Sequence, residues 1–186
     1  MKLVVAMTGA SGAIYTQRLL DNLDPAAHEI HFIHTRHARE VAQLELPKGD
    51  LVVRPGVTQY DENGSMFVPF VSGAARFDAM VVIPASMGTI GRIATGVSDT
   101  TVARAADVFL KERRKLILVP REAPFNLIHL RNLVTLTEAG ATIIPASPSF
   151  YSKPLTIEQL VDTIIARVLD HLGIEHRLAK RWQSAG

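Results

Sequence analysis

The sequence has 186 residues, 47% of them hydrophobic, and its 20 basic and 18 acidic residues leave a net charge of +2. A chain of this size can bury a core as one domain, and its near-neutral charge argues against nucleic acid or a membrane as partner. Because there is no cysteine, disulfides, zinc–thiolate sites and thiol catalysis are excluded. No apolar run approaches the roughly 18 residues of a membrane span, so we expect a cytoplasmic protein with one domain, 1–186.

Apolar runs of strand length alternate with helix-like stretches. Strands are predicted at 3–7, 29–34, 80–84, 116–120 and 141–145, and helices at 13–23, 37–44, 100–114 and 128–139. Thr156 and Gln159 form a predicted capping box that opens a last helix ending at Leu172, before Gly173. Between 49 and 73 the pattern breaks up, and only 51–53 and 66–68 look β-like. The alternation predicts an α/β fold, a three-layer, doubly wound, mostly parallel sheet of the flavodoxin or Rossmann type.

A glycine turn, Thr8-Gly9-Ala10-Ser11-Gly12, stands between the first strand and the first helix. Its glycines permit close backbone approach, and the amide groups at the start of the helix attract an anion. The alternative is a tight turn with a purely structural role. Since ligands of such sheets bind beyond the carboxyl ends of the strands, we expect the site in the loops after 7, 33, 83, 119 and 144.

Two of these loops carry candidate side chains. The side chains of the segment 84–89 are small and include hydroxyls. They suit either binding of a flat ring or a helix cap at Ser86 or Thr89. In the segment 120–124, Arg121 suits a phosphate or flavin contact and Glu122 suits proton transfer. His129 is expected to have a hydrogen-bonded structural role, because the histidines show no ligand spacing.

Several basic and aromatic residues have two interpretations. Arg104 and Lys111 lie on one face of a predicted helix, where Asp107 could equally bridge them as a solvated surface group. Tyr151 follows the last strand and suits either a phosphate contact or the edge of the core. Arg167 borders the apolar arc of the last helix, as snorkelling or paired arginines do. No pair of aspartates has the spacing that holds Mg²⁺ and a diphosphate, so we expect no metal.

Taken together, four ordered motifs resemble the flavin prenyltransferase family, which was formerly grouped with the aromatic acid decarboxylases. They are Thr8 to Ala13 with Tyr15; Arg104 to Val108 running into Leu110 to Arg113; Pro120 to Phe125 with Ile128 to Leu130; and Pro148, Phe150, Tyr151 and Pro154. The resemblance spans most of the chain. It implies a metal-independent transferase, a homo-oligomer and in particular a dodecamer, that joins a dimethylallyl group from dimethylallyl phosphate to N5 and C6 of reduced FMN. The product would serve a separate decarboxylase.

The resemblance also implies a role for individual residues. The residues expected to bind FMN are Gly9, Ala10, Ser11, Thr35, Ser86, Met87, Gly88, Thr89 and Arg121. The residues expected to bind the substrate phosphate are Lys111, Arg121, Tyr151 and Arg167, and Arg104 is expected nearby. Residues 174–186 are expected to form a tail in which Trp182 closes over the site. The catalytic set is Ser11, Glu122 and Glu45, with Ser11 at the N5 edge of the flavin and Glu45 reaching a neighbouring subunit.

The chain departs from the family pattern at three places: Ala85 replaces a common cysteine, Thr16 replaces a common glycine, and 98–101 differs from the usual run. Two other functions share these features. One is a flavin-dependent decarboxylase of the type that acts on cysteine, against which the lack of cysteine and the basic set argue. The other is a non-catalytic flavin carrier.

Overall fold

Six strands form a single parallel sheet in the computed structural model, which describes residues 1–62 and 66–178. They are β1 (Lys2–Met7), β2 (Glu29–His34), β3 (Thr58–Asp61), β4 (Ala79–Ala85), β5 (Lys115–Pro120) and β6 (Thr142–Ile143). Their order is β3-β2-β1-β4-β5-β6, the order of dinucleotide-binding folds, in which ligands bind where the strand order reverses. That point lies between β1 and β4.

Helices cover both faces of the sheet. They are α1 (Ala13–Asp21), α2 (Arg36–Glu45), α3 (Met87–Ala94), α4 (Thr101–Lys111), α5 (Leu127–Glu138) and α6 (Ile157–Leu172), and Pro69–Val71 forms a 3₁₀ turn. Side chains of α1, α2 and α6 belong to one apolar cluster, the first apolar cluster, on one face of the sheet. Side chains of α3, α4 and α5 belong to a second apolar cluster on the other face. The predicted doubly wound α/β fold is confirmed.

Strand β1 shows why the central strands are apolar throughout. Leu3, Val5 and Met7 belong to the first cluster, and Val4 and Ala6 belong to the second. Successive side chains of a strand point to opposite faces, and here both faces are covered by helices. The strand therefore needs apolar side chains at consecutive positions.

The strands predicted at 3–7, 29–34, 80–84 and 116–120 have ends within one residue of those observed. The strand predicted at 141–145 is shorter, because β6 pairs with β5 only at Thr142 and Ile143. Helix α3 was not predicted as a helix. Its two glycines, Gly88 and Gly91, weaken the helical pattern. A helix cap at Ser86 was, however, one of the two interpretations given for the segment 84–89.

The predicted β-like pieces at 51–53 and 66–68 are wrong, and β3 was missed between them. The Val52 amide donates to the Gln17 side chain (2.8 Å) and the Val52 carbonyl accepts from it (3.0 Å), so α1 takes the place of a partner strand. Strand β3 has the sequence Thr-Gln-Tyr-Asp, a polar edge strand without the apolar run that reveals the others.

Helix caps differ in detail from expectation. Thr156 accepts from the Gln159 amide (3.2 Å), but the Gln159 side chain accepts from the Leu155 amide (2.8 Å) and not from that of Thr156. A complete capping box occurs at Asn126 and His129, at the start of α5. The expected structural role of His129 is thus the one seen here.

A partly buried ion pair joins α1 to α6, and breaking it should destabilise the protein. Arg18 donates to both carboxylate oxygens of Asp162, at 2.8 and 2.7 Å, and the Asp162 side chain is only 10% exposed. Because Asp162→Ala leaves a partly buried guanidinium without this partner, we expect a loss of about 2 kcal/mol in the free energy of unfolding. Urea titration measures it. The matched control is Asp21→Ala, whose carboxylate lies 3.7 Å from Arg18 and is more exposed; an equal loss there would contradict a special role for the α1–α6 pair.

None of the helices within 1–62 and 66–178 is long and apolar enough to cross a membrane.

Candidate active site

The glycine turn lies at the carboxyl edge of the sheet, against the start of α2. A Cβ atom added at Gly9 would lie 2.5 Å from Cβ of His37, so only glycine permits this packing. Gly12 is the N-cap of α1 and has a φ of 114°, in the left-handed region that favours glycine. The two glycines therefore hold Ser11 at the edge, where it is exposed.

A carboxylate of the same chain occupies the start of α1. Oε2 of Glu45 accepts hydrogen bonds from the amides of Gly12 and Ala13, both at 2.8 Å. Positive helix ends attract anions, and here the anion is a side chain supplied by the end of α2. Glu45, expected to reach a neighbouring subunit, thus contacts the glycine turn of its own chain in this structure. The turn does bind an anion, but these two amides already have an acceptor. These two amides are therefore not available to a ligand phosphate while Glu45 is bound to them.

Ser11, Glu45 and Arg121 form one network at this edge. Nε of Arg121 donates to the Ser11 carbonyl (2.9 Å), and the Ser11 hydroxyl is one of the groups that lower the pKa of the Glu45 carboxyl. Burial opposes ionisation of Glu45, but the hydrogen bonds from Ser11, Gly12 and Ala13 and the charge of Arg121 outweigh it and lower the pKa of Glu45. Glu45 is thus ionised at neutral pH, beside the Ser11 hydroxyl.

The lowered pKa of Glu45 predicts a pH-dependent contribution to stability. A carboxyl whose pKa is lower in the folded state stabilises the protein above its unfolded pKa, 4.5 for Glu45, and loses that contribution as the pH falls through the folded value. We expect Glu45→Gln to be less stable than the parent at neutral pH, and the difference to shrink below pH 4.5. Urea unfolding of both proteins across this range measures it. A difference that grows on acidification would contradict the assigned contacts.

The other residues predicted to hold FMN also lie at the carboxyl edge. Ser86 caps α3 by accepting from the Thr89 amide (3.3 Å), and the two hydroxyls are 3.0 Å apart. Thr35 caps α2 by accepting from the Ala38 amide (3.1 Å). Both interpretations of the 84–89 loop are therefore compatible, because Ser86 is a cap and still stands at the edge where a ligand binds.

Glu122 follows Arg121 at the end of β5. It is half-buried, and its Oε1 accepts from the Ala123 amide (3.1 Å). The strand position puts this carboxylate on the same edge as Ser11 and Glu45. The edge thus carries hydroxyl, carboxylate and guanidinium groups, a set of hydrogen-bond donors and acceptors that fits the polar atoms of a flavin ring and its chain.

The residues predicted to bind the substrate phosphate do not come together within one chain. Lys111 is the last residue of α4, shortly before β5 begins, which puts it at the amino edge, and its Nζ contacts Glu112 (2.5 Å). Arg167 is exposed on α6, which covers the other face of the sheet. Arg104 pairs with Asp107 (2.8 Å), so Asp107 does not bridge the two basic residues of α4.

Tyr151 lies in the loop after β6 and is 89% exposed, so the alternative position at the edge of the core is wrong. In the tail, Ile174 and Leu178 pack against the first apolar cluster. Trp182 lies outside the described residues. A single chain therefore does not form the predicted phosphate site, and the role of these residues stays a prediction for an assembly of chains.

Sequence reasoning missed Thr8 as a site residue. Its buried hydroxyl donates to the Pro84 carbonyl (2.8 Å) and accepts from the Ser86 amide (2.7 Å). Thr8 thereby joins the ends of β1 and β4 at the point where the strand order reverses. Its position directly before Gly9 was the only signal in the sequence. Across 1–62 and 66–178 there is no cluster of three or more His, Asp or Glu side chains suited to a metal ion.

Comparison with known proteins gives the family. The Flavoprotein family model matches residues 1–169. The flavin prenyltransferase UbiX of Methanocaldococcus jannaschii is 44% identical, over 98% of this chain and 98% of its own length. The flavin prenyltransferase UbiX of Pseudomonas aeruginosa is 43% identical, over 97% of this chain and 93% of its own.

Solved structures agree with this relationship. The dodecameric FMN-dependent UbiX-like decarboxylase from Escherichia coli O157:H7 has a TM-score of 0.91 and 40% identity, covering 99% of this chain and 100% of that one. AnUbiX in complex with FMN and dimethylallyl pyrophosphate has a TM-score of 0.91 and 39% identity, covering 100% and 98%. A PPC decarboxylase mutant, at 19% identity and a TM-score of 0.66, shares the fold. The identity and coverage shown by the two UbiX relatives place this chain in the flavin prenyltransferase family.

Proposed function

We propose that this chain joins a dimethylallyl group from dimethylallyl phosphate to N5 and C6 of reduced FMN, and that a separate decarboxylase uses the product as its cofactor. The observation that carries this proposal is the network of Glu45, Arg121 and the glycine turn around Ser11, at the edge where such sheets bind ligands. The family supports it, as does AnUbiX, which binds FMN and dimethylallyl pyrophosphate.

Reduced FMN, when bound, supplies the electron-rich ring atoms that accept the prenyl group. The glycine turn, Thr35, the segment 86–89 and Arg121 would hold it. A Ser11 hydroxyl that donates to the ionised Glu45 would keep the lone pairs of its oxygen available to the N5 edge of the flavin. Glu45 would take up the N5 proton through Ser11, and Glu122 would be the base for the proton at C6. One proton is added to the prenyl alkene as its neighbouring carbon bonds to C6, so proton gain and loss balance and no oxidant is needed. The departing phosphate gains negative charge, which arginine and lysine side chains stabilise.

The substrate phosphate site is completed by more than one copy of the chain. This part of the proposal follows from the opposite faces on which Lys111 and Arg167 lie. The similar Escherichia coli protein is dodecameric, and we propose the same assembly here. Apolar side chains exposed on α5, namely Leu127 (61%), Ile128 (67%) and Val134 (57%), give a surface that such an assembly would bury. A cytoplasmic location and the closing role of Trp182 remain predictions of the sequence.

Phosphate release tests the proposal. Under anaerobic conditions, the protein with reduced FMN and dimethylallyl phosphate should release one inorganic phosphate for each flavin consumed. No release above a control without protein would contradict prenyl transfer.

Replacing Ser11 by alanine separates chemistry from binding. The variant loses the hydroxyl beside Glu45 but keeps the backbone carbonyl that Arg121 contacts. We expect transfer to slow about 100-fold, as for loss of a group in proton transfer, with a smaller change in the dissociation constant of FMN. Single-turnover kinetics and a fluorescence titration of FMN measure the two effects. A loss of FMN affinity larger than the loss of rate would assign the turn to binding alone.

A further inference from the structure

The carboxyl end of β4 is irregular. Val82 pairs with Leu118 and Ala85 pairs with Pro120, with a shift of register between them. Ile83 and Pro84 therefore lie opposite a single residue of β5, as in a β-bulge, which bends the strand. Pro84 has no amide N–H to hold the bend through the ladder. The backbone bonds at this end are long, from the Thr8 amide to the Pro84 carbonyl (3.3 Å) and from the Arg121 amide to the Ala85 carbonyl (3.4 Å), so further contacts are needed to fix its direction.

Two buried threonine hydroxyls supply those contacts. Thr8 Oγ1 donates to the Pro84 carbonyl (2.8 Å), and Thr16 Oγ1 donates to the Ile83 carbonyl (2.5 Å). Both threonines have no exposed surface. The hydroxyls thus reach consecutive carbonyls in the irregular stretch, one from the end of β1 and one from the first turns of α1.

Thr8 also sets the start of the next loop. Its oxygen accepts from the Ser86 amide (2.7 Å), and Ser86 in turn caps α3 through the Thr89 amide. A hydroxyl that donates and accepts at once leaves little angular freedom to either partner. The spacing between the Ser86–Thr89 loop and Ser11, in the turn that begins with Thr8, therefore depends on this side chain.

We propose that Thr8 and Thr16 are positioning residues for flavin binding. They hold the bulged end of β4 so that the Ser86–Thr89 loop stands at the spacing from the glycine turn that the flavin requires. The inference rests on the proposed function, since it concerns the FMN site of that function. Neither residue needs to touch the flavin, because each acts through the backbone of 83–86.

Valine and serine variants test this role. Thr8→Val keeps the shape of the side chain but leaves the Ser86 amide without its partner and leaves the Pro84 carbonyl with only the longer bond from the Thr8 amide (3.3 Å). Thr8→Ser keeps the hydroxyl. Thr16→Val removes one donor from the Ile83 carbonyl. The stability control is Leu23→Ala, which opens a cavity in the first apolar cluster beyond α1, at the amino edge. Each protein is titrated with FMN by fluorescence, and its thermal unfolding is recorded without FMN.

We expect Thr8→Val to raise the dissociation constant of FMN about tenfold or more, the effect of losing roughly 1.4 kcal/mol of binding. Thr16→Val should raise it about threefold, and Thr8→Ser should stay within about twofold of the parent. Leu23→Ala should lower the melting temperature without changing FMN affinity. The rescue by serine is a result that a merely destabilising change would not give.

Parent-like FMN affinity in folded Thr8→Val would overturn the inference. If Thr8→Val fails to fold, Thr16→Val decides the matter, because unchanged affinity there would overturn it as well. A weakened affinity in Leu23→Ala equal to that in the threonine variants would also overturn it, since stability would then explain the effect. Failure of the parent protein to bind FMN contradicts the proposed function instead.

Discussion

Oligomers assembled from chains with Lys111→Ala and chains with Arg167→Ala should regain prenyl transfer that neither variant supports alone. Lys111 lies at the amino edge on the face covered by α4, and Arg167 lies on α6 across the sheet. A phosphate site that uses both must take them from different copies. Each variant alone should lose activity by about 100-fold or more, because it removes a charge that stabilises the departing phosphate.

Random assembly at equal amounts should restore about a quarter of the parent activity, since half of the chains supply each intact residue in a symmetric oligomer. The two variants are co-expressed with different tags, and mixed oligomers are isolated through both. The matched control mixes Lys111→Ala chains with chains that carry both substitutions. No oligomer in that mixture contains Lys111, and about half of its sites also lack Arg167, so activity should not rise above the level of the single variant. Failure of the first mixture to exceed this control would contradict a site shared between copies.

Replacing Glu122 by glutamine should leave FMN bound and remove most of the turnover. Glutamine keeps the size of the side chain and can still accept from the Ala123 amide, but it cannot take a proton. Loss of a general base slows reactions by about 100- to 10,000-fold. Single-turnover measurement of prenylated flavin gives the rate, and FMN titration gives the affinity. The control is Glu138→Gln, at the exposed end of α5.

The same variant separates an enzyme from a flavin carrier. A carrier depends only on FMN affinity, so Glu122→Gln would deliver flavin as the parent does. An enzyme keeps the affinity and loses the rate. Unchanged turnover in Glu122→Gln would remove Glu122 from the proposed catalytic set, while leaving the FMN site and the family of the chain untouched.

Buried strands and capped helices could be predicted closely from the sequence, because their signals are local. Strands such as 29–34 and helices such as 37–44 rest on runs of neighbouring residues. The segment 49–73 could not be predicted, because its contacts are distant: Val52 is held by Gln17, 35 residues away. Polar β3 has no apolar alternation to mark it.

In the candidate site, too, features with local sequence signals could be predicted and features that depend on distant contacts could not. The predicted strand ends were enough to place the glycine turn, Ser86, Arg121 and Glu122 in the candidate site, because a parallel sheet brings the loops after its strands to one edge. The contact of Glu45 with the turn joins residues 33 apart, and no local pattern indicates it. Thr16 was noted only as a departure from glycine, whereas its hydroxyl bonds the Ile83 carbonyl. The basic residues were predicted as one phosphate site, and a single chain separates them because helices on opposite faces carry them.

The mass of the flavin after reaction tests the central claim most directly. The purified protein is incubated anaerobically with reduced FMN and dimethylallyl phosphate, and the released flavin is analysed by mass spectrometry. Prenyl transfer to N5 and C6 predicts a flavin heavier than FMN by one five-carbon prenyl unit, with none formed when dimethylallyl phosphate is omitted. Recovery of unmodified FMN from a protein that binds it would contradict the account.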